Sequence, residues 1–126
     1  MLVDDSPDDK FFHERAIKKN NPANVVIVKN SAAKALEQLK LEAYEGRPPD
    51  LVFVDINMPG MNGWEFIEEF SRLKEESKGP AIIVMLTNSM NPDDAERAKK
   101  VSLISEYKVK PLTQGIVEEV IIKHVK

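Results

Sequence analysis

Five residues of this sequence carry groups suited to hard-cation and phosphoryl chemistry, and each stands just after a short segment of strand-like character. Asp4 and Asp5 follow Met1 to Val3, Asp55 follows Leu51 to Val54, Thr87 follows Ala81 to Leu86, and Lys110 follows Glu106 to Val109. Three carboxylates in one cleft repel each other unless a cation neutralises them. Hard oxygen ligands favour Mg²⁺, with Mn²⁺ as a substitute, because such an ion keeps water ligands and accepts phosphate oxygens. Lys110 offers a mobile positive charge for one phosphoryl oxygen, and Thr87 a hydroxyl donor for another. Asp55 stands out even alone, since an acid closing so apolar a run is costly without a partner. The others depend on being together. In isolation Asp4-Asp5 reads as a solvated turn or capping pair, Thr87 as a strand-end threonine and Lys110 as a surface lysine.

What would bring the five together is a repeated strand-helix pattern. Apolar runs at Met1 to Val3, Val25 to Val28, Leu51 to Val54 and Ala81 to Leu86 alternate with longer segments whose apolar residues recur at helical spacing. The near-continuous β-branched runs fit strands of a parallel sheet covered on both faces. Ser6-Pro7-Asp8-Asp9 and Asn91-Pro92-Asp93-Asp94 each offer a cap, a proline at the first helical position and acids in the first turn. Ala32, Ala35, Leu36, Leu39 and Ala43 line a second helix, and Phe66, Ile67, Phe70 and Leu73 a third. The last strand is expected near Glu106 to Val109, followed by a helix carrying Leu112, Ile116 and Val120. The expectation is therefore an α/β, doubly wound fold of five βα units with helices on both faces. In such a sheet, functional groups gather at the carboxyl ends of the strands near a topological switch point.

The 126 residues, 42% hydrophobic, suit one domain spanning 1-126, with no attached effector domain expected. Glu45 to Pro49 reads as a surface loop. A net charge of -3 gives no basic excess for nucleic acid. Zero cysteines exclude disulfides and thiolate metal sites and suit a reducing cytoplasm. No apolar run reaches the roughly 20 residues of a membrane span, and no signal-peptide pattern opens the chain.

The whole chain resembles the response regulator receiver domains of two-component signalling. The likeness rests on Leu2-Val3-Asp4-Asp5-Ser6, on Leu51 to Gly63 including Asp55-Ile56-Asn57-Met58-Pro59-Gly60, and on Thr87, Tyr107 and Lys110-Pro111. It implies a flavodoxin-like five-stranded parallel sheet of order 2-1-3-4-5. It also implies that Asp55 takes a phosphoryl group from a sensor histidine kinase or histidine phosphotransfer protein. By the same resemblance Asp5 and Asp55 ligate Mg²⁺, Asn57 adds its backbone carbonyl, and Asp4 assists through water. Thr87 and Lys110 sense the phosphoryl oxygens, and Tyr107 turns inward behind Thr87. The altered face of the fourth helix, fifth strand and fifth helix then meets a downstream protein target, with no direct nucleic acid or membrane partner. Lys110-Pro111 matches the family's cis peptide bond.

Several residues carry plainer expectations. Tyr107 by itself reads as partial core, Trp64 as a half-buried structural residue, and His13 and His124 as helical residues without ligand spacing. Gly60, Asn62 and Gly63 shape a loop, with Asn62 a helix cap. Glu68, Glu69, Glu75 and Glu76 read as a solvated face. Departures from the family pattern are Asn88 in place of a small residue, Leu103 and Ile104 where glycine and alanine are common, and a short first strand. Among other functions, a metal-dependent phosphohydrolase would need an acid where Asn57 stands. A receiver-like module that is never phosphorylated would not need the complete acidic set, and a nucleotide-binding relative would need a glycine-rich loop after the first strand.

Overall fold

In a computed structural model, residues 1–20, 26–44, 51–58, 60–76, 82–87, 91–101 and 103–124 are described. The expectations on Val25, Glu45 to Pro49, Pro59, Ala81 and Asn88, and on the side chains of Ala43, Leu73, Glu75, Glu76 and His124, lie outside the described residues. Five strands and five helices alternate: β1 (Leu2–Val3), α1 (Pro7–Asn20), β2 (Val28–Lys29), α2 (Ala32–Tyr44), β3 (Leu51–Asp55), α3 (Gly63–Glu76), β4 (Ile82–Thr87), α4 (Pro92–Lys100), β5 (Glu106–Val109) and α5 (Gln114–His124). The strands form one parallel sheet of order β2-β1-β3-β4-β5. This is the expected flavodoxin-like arrangement.

Alternation along the strands feeds two apolar layers, as the pleat requires. Val3, Val52, Val54, Ile83 and Met85 point to one face, where they meet Ala35 and Leu39 of α2, Phe66 and Phe70 of α3 and Ala98 of α4. Leu2, Phe53, Ile82, Val84 and Leu86 point to the other, against Ala16 of α1 and Val117 and Val120 of α5. Burial on both faces is why β3 and β4 read as unbroken apolar runs.

Local rules set the helix starts. The Ser6 hydroxyl accepts the Asp9 N–H at 3.3 Å, and the Asn91 side chain accepts the Asp93 N–H at 2.9 Å. At α3, Asn62 and Glu65 form a reciprocal capping box, with bonds of 2.9 and 3.1 Å. Two expectations need correction. The second strand covers only Val28–Lys29 rather than the run to Val28, although the Ile27 carbonyl still accepts the Leu2 N–H at 2.8 Å. Leu112 precedes α5 instead of lying on it, so the buried stripe is Leu112, Val117 and Val120, and Ile116 is only half-buried. Trp64 is more deeply buried than expected, at 9% exposure, and the Arg97 guanidinium of α4 stacks over its ring at 4.4 Å from the centroid. Among the described residues, no helix is long and apolar enough to cross a membrane.

Candidate functional site

Because β1, β3, β4 and β5 are neighbours and parallel, the residues that follow them share one edge of the sheet. Asp55 closes β3 opposite Leu86, and Thr87 closes β4 opposite Val109. The Lys110 N–H donates to the Thr87 carbonyl at 2.7 Å, which continues the β5 ladder by one residue, and the Lys110–Pro111 bond is cis. Asp4 leaves β1 with its N–H on the Lys29 carbonyl at 3.1 Å. Its Oδ1 accepts the Ser6 N–H at 2.9 Å, a turn that points the other carboxylate oxygen along the sheet edge.

The ammonium of Lys110 is the hub. Its Nζ lies 3.0 Å from Asp4 Oδ2, 3.2 Å from Asp55 Oδ2 and 2.7 Å from Asp9 Oδ2. Burial alone would lower the lysine pKa. Hydrogen bonds to Asp9 and Asp4, with the charges of Asp4 and Asp55, outweigh it and hold the pKa above the ordinary lysine value. Asp55 is 3% exposed, and its Oδ1 accepts the Asn57 N–H at 3.1 Å. Burial pushes its carboxyl pKa up, and Asp4 adds to this while Lys110 opposes it. A carboxylate so deeply buried is costly by itself, and the Lys110 ammonium 3.2 Å away offsets that cost.

One carboxylate oxygen from each of Asp4, Asp5 and Asp55 lies within 4.8 Å of the others. Asp5 is exposed and opens this group to solvent. A set of hard anionic oxygens suits Mg²⁺ or Mn²⁺ and does not suit a soft metal. The loop beneath is held by glycines. Gly60 takes φ +77°, which favours glycine, and a Cβ on Gly63 would come within 2.8 Å of Ile56 Cα and 2.9 Å of the Asp55 carbonyl oxygen. The Gly63 N–H donates to the Ile56 carbonyl at 2.8 Å, so α3 starts directly under the end of β3.

All the sequence-predicted side chains Asp4, Asp5, Asp55, Thr87 and Lys110 come to this edge, and Asn57 contributes its backbone N–H to Asp55. Tyr107 sits on β5 opposite Met85, two residues along the ladder from Thr87, with its hydroxyl shielded from solvent and no well-formed hydrogen bond. Burial raises the phenol pKa, and the nearby Thr87 hydroxyl acts against that rise. Two neighbours were not foreseen as part of the site. In the sequence Asp9 is only a first-turn acid, and His13 a helical residue without ligand spacing. His13 is 1% exposed, with Nδ1 3.9 Å from Asp4 Oδ2 and without a hydrogen bond. Burial lowers its pKa, Lys110 lowers it further, and Asp4 and Asp9 oppose the shift. The signal for both was their helical spacing of four, which puts Asp9 and His13 on one face of α1.

Comparison with known proteins places the fold and the family. A crystal structure of a two-component response regulator from Cytophaga hutchinsonii superposes with a TM-score of 0.86, at 30% identity, over 98% of this chain and 93% of that one. The response regulator Rcp1 of Synechocystis is 29% identical over 75% of this chain and 64% of its own. The sensor histidine kinase GacS of Pseudomonas protegens is 27% identical over 82% of this chain but only 12% of its own length. The chain thus spans a small part of some relatives it matches. The family model described as the response regulator receiver domain matches residues 1–121, so the chain belongs to this family of phosphorylation-dependent signalling domains.

Proposed function

We propose that Asp55 is the phosphoryl acceptor of this domain, with a histidine kinase or a histidine phosphotransfer protein as donor. The observation that carries the reading is the Lys110 ammonium, held 3.2 Å from Asp55 and 3.0 Å from Asp4 at the carboxyl edge of the sheet. A carboxylate oxygen of Asp55 attacks the phosphorus of a phosphohistidine. The new O–P bond forms as the P–N bond breaks, its electron pair returns to the imidazole nitrogen, and an acyl phosphate results. Chemistry of this kind asks mainly for positioning and charge stabilisation.

Each residue has a share in that task. Lys110 turns from the Asp55 carboxylate to an oxygen of the incoming phosphoryl group, and Thr87 donates its hydroxyl to another. Asp5 and Asp55, with the Asn57 carbonyl, would hold Mg²⁺ or Mn²⁺, with Asp4 assisting from beside them. When bound, the ion offsets negative charge on the acids and on the transferring group. Tyr107, behind Thr87, carries the change to the face of α4, β5 and α5, where a downstream protein is read. The site acts in the cytoplasm, in keeping with a cysteine-free sequence. The domain works as a switch and not as a turnover enzyme.

The test is intact mass after incubation with phosphoramidate or acetyl phosphate and Mg²⁺. The wild type is expected to gain one phosphoryl mass and Asp55→Ala none. Equal gain by both proteins, or gain by neither, defeats the assignment.

A further inference from the structure

The shortest contact of Lys110 is made to a residue outside the set just described. Asp9 Oδ2 lies 2.7 Å from Nζ, nearer than Asp4 at 3.0 Å or Asp55 at 3.2 Å. An ammonium has three N–H donors, and three carboxylates surround this one. The acids differ in setting. The Asp4 and Asp55 side chains are almost wholly buried and belong to the strand edge, whereas the Asp9 side chain is 36% exposed and stands on the first turn of α1. When Asp55 carries a phosphoryl group, one donor must leave its carboxylate for a phosphoryl oxygen, while the other two still need acceptors. Asp9 supplies one from a rigid helix, anchored through the Asp9 N–H on Ser6.

We propose that Asp9 is a positioning residue that orients the Lys110 ammonium over the acceptor carboxylate and so sets the rate of phosphoryl transfer. It touches neither the phosphorus nor the acceptor oxygen and acts through the lysine. The inference rests on the phosphoryl-transfer reading of the site. A bystander charge would behave in the opposite way, since removing an acid near the cleft would ease the approach of an anionic phosphodonor.

The experiment compares wild type, Asp9→Asn, Asp9→Glu, Lys110→Met and the Asp9→Asn, Lys110→Met double variant. Phosphoramidate and Mg²⁺ are the probe, intact mass gives the rate, and urea unfolding establishes that each variant is folded. Losing one charge-assisted contact to the lysine should slow Asp9→Asn about tenfold. Asp9→Glu should recover much of the rate, and Asp9→Asn should have no further effect once Lys110 is methionine. A rate for Asp9→Asn equal to or above wild type overturns the proposal, as does an equal slowing in the Lys110→Met background. A second readout needs no phosphoryl group: the ¹⁵N-correlated NMR signal of the Lys110 ammonium, protected from water exchange by its ion pairs. It should broaden in Asp9→Asn and persist in Asp9→Glu. If wild type takes no phosphoryl group, the role of Asp55 falls, and an unchanged ammonium signal in Asp9→Asn separately removes that of Asp9.

Discussion

His13 and Lys110 approach the same Asp4 carboxylate, but the lysine holds it at 3.0 Å and the imidazole stays at 3.9 Å. With a cation already in place and little solvent, the histidine is driven toward its neutral form, and its pKa lies below 6.5 in the folded protein. In the unfolded chain it protonates near its ordinary value. The unfolded state then binds more protons, so the stability is complete above about pH 6.5 and is lost as pH falls toward the folded pKa. The urea midpoint should drop between about pH 7 and about pH 5.5, and His13→Leu should remove much of that slope. An unchanged slope in the variant would show that other groups cause it. His13 also marks the limit of what could be read from residues alone. The strand-end acids and Thr87 announce themselves by closing apolar strands, and Lys110 by the Lys110-Pro111 pair that completes the family pattern. Asp9 and His13 are buried or paired on a helix whose inner face has few apolar residues, and no apolar stripe points to them.

At the scale of elements, the junction of β3 and α3 decides whether Asp55 is presented correctly. Gly63 packs against backbone, so a methyl group there meets Ile56 Cα at 2.8 Å and the Asp55 carbonyl at 2.9 Å, contacts that no side-chain rotation relieves. Gly63→Ala should cost about 1–3 kcal/mol in urea unfolding. Gly115, in α5 with nothing nearer than 3.8 Å to an added Cβ, is the control. Gly115→Ala should be neutral or stabilising by up to about 1 kcal/mol. Equal losses at both positions would mean that the close approach is not what the glycine at 63 serves. Strands β3 and β4 are legible because their residues sit between two layers, whereas the half-buried β5, with Glu106 and Lys108 in it, carries a weaker signal. The edge strand β2 is shorter than its apolar run: it pairs only with the two-residue β1, with Leu2 opposite Val28 and Val3 opposite Lys29. In α5 the spacing of four from Leu112 misled, because the helix starts after it and places Val117 inward instead.

For the molecule as a whole, the two apolar layers are not separable, since β3 and β4 send alternate residues into both. Neither layer can lose its sheet without exposing the other. Urea unfolding followed by tryptophan emission and by far-ultraviolet circular dichroism should therefore give one coincident transition. Transitions that separate would show that the α1–α5 layer opens independently. Emission in that experiment comes from one place, as Trp64 is the only tryptophan. Its indole lies at the start of α3, a few residues beyond Asp55, and is roofed by the Arg97 guanidinium of α4. The stacked cation ties the emission of that fluorophore to the contact between the start of α3 and α4. The chain therefore carries its own unlabelled optical probe of that contact.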